Sequence, residues 1–106
     1  MSPKSVVWHA PNGMEFEWDS AKAQVNLRKH KVPFLIACEA FKDSNRLELP
    51  DFSDEYEEER WILLGRVGRA ILSVVFTERG ERIRLISARR ANRDEQRTYW
   101  TGEIQA

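Results

Sequence analysis

Residues 70–100 read AILSVVFTERGERIRLISARRANRDEQRTYW, and this stretch decides the fold. Ala70–Thr77 is an apolar run of strand composition. Gly80 marks a tight turn, and from Arg82 onward Arg82 and Arg84 alternate with Ile83 and Leu85 as far as about Arg89. A turn this short makes the two strands antiparallel, and the alternation buries one face and leaves the other basic. Asn92, with Glu95 three residues later, has the form of a capping box, so a helix is expected from there to about Trp100.

Reading outward, Arg60–Val67 is a further strand, joined to Ala70–Thr77 by a turn at Gly68, and Arg46–Leu49 is a short strand ended by Pro50. The most apolar run, AILSVVFT, is expected at the centre of the sheet. Earlier in the chain the period is helical. Asp19 or Ser20 caps a helix to about Lys31, on which Lys22, Asn26 and Lys29 share one face with His30 beside it. Pro33 opens a second helix to about Lys42, whose core stripe is Phe34, Ala37, Cys38 and Phe41. Leu35 and Ile36 project away from that stripe and are expected to be exposed. Val6–His9 and Met14–Trp18 flank Asn12-Gly13, a hairpin signal. The order ββααββββα describes one α+β domain over residues 1–106: an N-terminal hairpin and two helices, then an antiparallel sheet of about four strands and a C-terminal helix.

Seventeen basic and seventeen acidic residues cancel in the total but not along the chain. Residues 1–59 hold seven basic and twelve acidic side chains, whereas residues 60–106 hold ten and five. All ten bases of the second part are arginine, the planar, permanently charged partner of phosphate. The acidic excess centres on Asp51–Glu59, read as a solvated loop. A chain with such poles can present a basic surface to a polyanion at zero net charge.

Several chemistries are missing. There is no glycine-rich phosphate loop, nucleophile elbow or paired-cysteine zinc pattern. His9, His30 and Cys38 lack metal-ligand spacing, so no metal or cofactor is expected. Nothing local orients Ser87 toward His30 as a hydrolase pair. A single cysteine, Cys38, makes no internal disulfide and fits a reducing cytoplasm. No apolar run approaches the roughly 18 residues of a membrane span, and the N-terminus lacks the apolar stretch of a secretory signal.

The segments FEWDSAKAQVNLRKHKVPF (16–34), ERWILLGRV (59–67) and LSVVFTERGERIRLISARRANRDEQRTYW (72–100) closely resemble the BrnT toxins of type II toxin–antitoxin systems. The resemblance covers about residues 15 to 100, with residues 1–14 largely outside it. It implies a RelE-like fold, ribonuclease activity that arrests translation and growth, and neutralisation by a BrnA-type antitoxin carrying a ribbon-helix-helix region. It further implies a hetero-oligomer that reaches DNA only through the antitoxin. This chain departs from the family pattern at three places. Lys31 stands where glycine is usual, which lengthens or strains the helix end. Leu35-Ile36 replaces a typically acidic pair, and Phe76 replaces a common tyrosine whose hydroxyl is a candidate for proton transfer.

Cleavage of RNA without a metal requires a group to take the 2′-hydroxyl proton, a group to protonate the leaving 5′-oxygen, and cations to meet the charge that builds on the phosphate. Arg66 and Arg89 are the candidates for that charge, with Arg84 and Arg79 as further phosphate contacts. His30 is the histidine of the matched motif, and histidine is the usual proton carrier near neutral pH. Tyr99 is a second candidate if arginines lower its pKa. Lys22 and Lys29 are expected to position the RNA backbone, and the Leu35-Ile36 pair to meet the antitoxin or a second toxin copy. The competing reading is a non-catalytic RNA-binding or protein-interaction module built on a basic sheet face.

Overall fold

Asn12-Gly13 turns the chain as expected. In the computed structural model, which describes residues 4–52 and 59–103, Gly13 has φ 91 and joins β1 (Ser5–His9) to β2 (Glu15–Asp19). Most of the expected acidic loop, residues 53–58, lies outside the described residues. The Asp19 carboxylate accepts from the N–H groups of Ala21 and Lys22 at 2.8 and 3.1 Å and starts α1 (Ser20–His30). The helix stops at Lys31, whose φ of 61 makes it the left-handed C-cap. The Lys31 departure thus strains this end: the backbone still adopts the conformation glycine favours, and a lysine Cβ now occupies it. α2 (Phe34–Glu39) follows and tightens into a 3₁₀ turn at Ala40–Lys42. Then come β3 (Leu47–Asp51), β4 (Arg60–Val67), β5 (Ala70–Arg79), β6 (Arg82–Arg90) and α3 (Arg93–Thr101).

The element order agrees with the sequence reading, and the α+β class holds, but the sheet differs from it. Six strands, not about four, lie in the order β1-β2-β6-β5-β4-β3, and β2 runs parallel to β6. The hairpin is therefore part of the sheet. Phe16 and Trp18 must be buried, and a lone two-stranded hairpin is marginal in water. Set beside β6, Phe16 pairs with Ile83 and places its ring 5.1 Å from that of Phe41. Pro50 does not end β3, which reaches Asp51; Pro50 sits opposite Trp61 on an edge strand, where its missing N–H breaks no ladder.

Each face of the sheet carries its own apolar cluster. On one side α1 and α2 cover Phe16, Trp18, Leu63, Val74, Phe76 and Leu85. Phe76 is 3% exposed there, its ring 5.2 Å from Phe41. A hydroxyl at this position would point into the core, so the Phe76 departure costs no surface proton donor. On the other side Tyr99 and Ala91 join Leu64 and Ile71. Gly65 is required by the first cluster, because a Cβ there would lie 2.6 Å from the backbone oxygen of Ala40.

Candidate nucleic-acid interface

β2 pairs with β6 only from Arg82 to Arg84, so the rest of that edge needs another partner. Asn26 of α1 supplies it at Ala88. Its side-chain nitrogen donates to the carbonyls of Ala88 and Val32 at 2.8 and 3.1 Å, and its oxygen accepts the Ala88 N–H at 3.0 Å. The helix is thereby held against β6, and Lys22, Val25, Lys29, His30, Ile86 and Ser87 line a cleft of about 340 Å³. No carboxylate lines it. The expected α1 group of Lys22, Lys29 and His30 does share this surface: the lysines are exposed and His30 is half-buried. Ser87 and His30, which no local pattern linked, border the same cleft, though no hydrogen bond joins them.

Arg89 lies on the same face of β6 as Ser87, two residues further along a regular ladder. Its guanidinium is held by Glu95 in two bonds, of 2.7 and 2.9 Å. Glu95 also closes the capping box of α3 through the Asn92 N–H at 2.8 Å and accepts from Ser73 at 3.4 Å. Burial opposes ionisation of Glu95, but the bonds from Arg89, Asn92 and Ser73 outweigh it and hold the carboxyl below its ordinary pKa. The same pairing raises the pKa of Arg89.

Arg66 belongs to a second cluster, across β5. Two strand spacings and one two-residue step separate it from Arg89, roughly 12 Å between Cα atoms. Their guanidinium groups have different partners, Glu95 for Arg89 and Gly68 with Trp100 for Arg66. Arg66 donates its backbone N–H to Asp43 at 2.7 Å and its Nε–H to the carbonyl of Gly68 at 2.8 Å, and its guanidinium carbon lies 5.9 Å from the centre of the Trp100 ring. The Tyr99 hydroxyl donates to the other arm of this arrangement, Asp43, at 2.5 Å. Burial, then the hydrogen bond and charge of Asp43, push the Tyr99 pKa up to about 12, against the opposing charge of Arg66. The condition set for Tyr99, that arginines lower its pKa, is not met: Arg66 acts in that direction, but burial and then Asp43 outweigh it. Asp43 itself ionises below its ordinary range: burial acts against this, but bonds from Tyr99, Arg66 and Asn45 prevail.

The expected basic face of β6 is also corrected. In the parallel register Glu15 and Glu17 stand opposite Arg82 and Arg84 and neutralise them. Arg84 donates to Glu17 at 2.6 Å with both side chains largely covered, so a phosphate could reach it only by displacing Glu17. Arg79 ends β5 at the hairpin turn, remote from both clusters along the strand. Leu35 and Ile36 are exposed, at 52% and 45%, as expected. Cys38 is buried, and desolvation pushes its thiol up to about 12, which suits a core residue and not a nucleophile. Among the described residues no three His, Cys, Asp or Glu side chains are placed to share a metal ion, and no helix is long and apolar enough to cross a membrane.

Sequence reading placed Asn26 on the lysine face but not its bonds to Ala88 and Val32, and missed Asp43 and the second task of Glu95. Asn26 is a polar residue at an inward position of α1, which is a weak signal. Asp43 reads locally as a turn residue, and its partner Tyr99 lies 56 positions away.

No curated protein matches the chain significantly. The family described as "Ribonuclease toxin, BrnT, of type II toxin-antitoxin system" matches residues 18–95, most of the chain and nearly all of the segment that carried the resemblance. The chain belongs to the BrnT family of ribonuclease toxins, whose members act within type II toxin–antitoxin systems alongside an antitoxin partner.

Proposed function

We propose that this chain is a metal-independent endoribonuclease that cuts RNA at the cleft between α1 and β6. The observation that carries the reading is the convergence of Lys22, Lys29 and His30 with Ser87 in a cleft without carboxylates, beside Arg89 on the same strand face. Lys22 and Lys29 hold the phosphate backbone. His30 takes the proton of the 2′-hydroxyl; the 2′-oxygen bonds to the adjacent phosphorus, the bond from phosphorus to the 5′-oxygen breaks, and that oxygen takes a proton from water while His30 passes its own to solvent. The product ends in a 2′,3′-cyclic phosphate. Arg89 meets the charge that builds on the phosphate, released in part from Glu95. Arg66, turned to Gly68 and Trp100, serves the flanking RNA, while buried Tyr99, bonded to Asp43, supports it without touching RNA.

The antitoxin in this reading is of BrnA type, with a ribbon-helix-helix region that makes the DNA contacts of the hetero-oligomer. The competing reading, a binding module on a basic sheet face, loses support where Glu15 and Glu17 neutralise Arg82 and Arg84.

The test is cleavage of single-stranded RNA by purified protein in EDTA, with analysis of the product ends. Retained cleavage with cyclic phosphate ends, and loss of at least a hundredfold in His30→Ala, supports the reading. Abolition by chelator overturns the metal-free mechanism. Wild-type rates in folded His30→Ala and Arg89→Ala variants overturn the site.

A further inference from the structure

Trp100 is 63% exposed although it sits on the last turn of a helix whose other aromatic residue, Tyr99, is buried. Leaving an indole in water forgoes the free energy of burying it. The ring is nonetheless held in place. Tyr99 meets it edge-on, with centroids 5.0 Å apart at 87°. The Arg66 guanidinium stands over one face of the ring, its carbon 5.9 Å from the centroid, and is itself fixed by the bond from its Nε–H to Gly68. Tyr99 is in turn anchored by Asp43, and Asp43 also receives the Arg66 backbone N–H, so one carboxylate sets the positions of both neighbours of the indole.

Among the described residues the charges on the strand side of this ring are mainly positive, and Glu103, three positions beyond Trp100, has an interaction of its own. Among the described residues no carboxylate pairs with the Arg66 guanidinium, and exposed Arg69 lies in the adjoining turn. Arg46 approaches through a 3.2 Å bond to the Asp43 carbonyl. On the acidic side, Asp43 has its oxygens filled by Tyr99, Arg66 and Asn45, and Glu48 faces Arg46 at 3.5 Å. A pre-positioned aromatic face beside unspent guanidinium donors matches a nucleobase with its neighbouring phosphate. An apolar protein segment would leave those donors without acceptors.

The geometry points to Trp100 and Arg66 as a base-stacking subsite for single-stranded RNA, in which one nucleobase lies on the indole and Arg66 contacts the adjoining phosphate. This rests on the ribonuclease reading and deepens it. Ser87 at the cleft edge, Arg89 and Arg66 share the α3 face of the sheet, so the subsite takes a nucleotide flanking the cleaved bond and contributes to sequence choice through stacking. Arg66 then acts on substrate held at a distance from the scissile phosphate.

The experiment uses the full chain and uniformly 2′-O-methylated oligoribonucleotides, which keep their bases and cannot be cleaved. One abasic position is walked along the strand, and binding is read by fluorescence anisotropy. Trp100→Ala should weaken binding about tenfold, within the range for loss of one stacked base, while Trp100→Phe stays within about threefold. One abasic position should weaken the wild type about as much and have no further effect on Trp100→Ala. Equal binding by wild type and Trp100→Ala, or abasic sensitivity that persists in Trp100→Ala, overturns the subsite. So does a Trp100→Ala variant that binds RNA normally but loses its antitoxin, which assigns the surface to that partner. Because the probe is not cleaved, a chain that stacks RNA but fails to cut it refutes the ribonuclease reading and leaves the subsite standing.

Discussion

The side-chain amide of Asn26 pairs with both backbone polar groups of Ala88, donating at 2.8 Å and accepting at 3.0 Å. A neighbouring strand would make the same two bonds. One buried side chain thus ends the ladder where β2 leaves off, and ties α1 to the strand that carries Ser87 and Arg89. Folding and the placement of Lys22, Lys29 and His30 depend on the same amide.

Asn26→Ala leaves the Ala88 N–H and carbonyl and the Val32 carbonyl without this partner. A loss of about 3 kcal/mol in unfolding free energy is expected, from one to three for each buried group left unsatisfied and partial rescue by water. Urea denaturation measures it. A loss below about 1 kcal/mol would show that α1 is held mainly by apolar contact.

Lys31→Gly relieves the left-handed cap at φ 61. The gain is about 1 kcal/mol, the cost of a Cβ in that region less the extra freedom of glycine when unfolded. For a chain of 106 residues this is a rise of roughly 4 °C in Tm, measured by thermal unfolding. An unchanged or lower Tm would show that the strain is already relieved.

Gly65→Ala brings a Cβ to 2.6 Å from the Ala40 carbonyl oxygen, a backbone atom that moves only with the 3₁₀ turn. The expected cost is about 2–3 kcal/mol, typical of overpacking. Gly68→Ala, at φ 60 with open space around it, should cost less, and comparing the two by denaturant midpoint separates steric contact from backbone conformation.

Asp43 and Glu95 have folded-state pKa values below their ordinary 3.8 and 4.5. Protons therefore bind the unfolded chain first as pH falls. The stability these carboxylates contribute is complete above about pH 4.5 and is lost as pH drops through the lowered folded values. Glu95→Gln keeps a residue that can close the capping box but removes the charge facing Arg89. It should cost about 1 kcal/mol at pH 7 and flatten the acid limb of a stability profile. An acid limb as steep as that of the wild type would place the linkage elsewhere.

Leu35→Glu with Ile36→Glu should change stability by less than about 0.5 kcal/mol, since both side chains are exposed. Affinity for the antitoxin should fall at least tenfold if this pair is buried at the interface. Calorimetric titration with the cognate antitoxin decides it, and unchanged affinity moves the interface off α2.

Most elements were legible locally. The capping box at Asn92 and Glu95, the turns at Gly13, Gly68 and Gly80, and the α2 stripe through Phe34, Ala37 and Phe41 all express their structure within a few residues of themselves. The α1 face carrying Lys22, Lys29 and His30 was legible for the same reason. The partners of the arginines were not. Arg84 and Arg89 read as unspent phosphate ligands, yet the one faces Glu17, which lies 67 positions away, and the other faces a helix-capping residue whose role seemed complete.

Local chemistry was enough to determine the order of helices and strands and their caps and turns, while the family was marked by the resemblance of three sequence segments. Hydrogen bonding within a turn, periodicity and capping involve near neighbours, so a linear reading captures them. Only the folded chain decided that β2 lies parallel to β6, that Asn26 closes the free edge, and that Tyr99 shares Asp43 with Arg66. Burial of Phe16 and Trp18 selects the strand neighbour, and that choice then sets which charges meet. Coulomb and hydrogen-bond energies depend on distance in space. Separation along the chain does not report it.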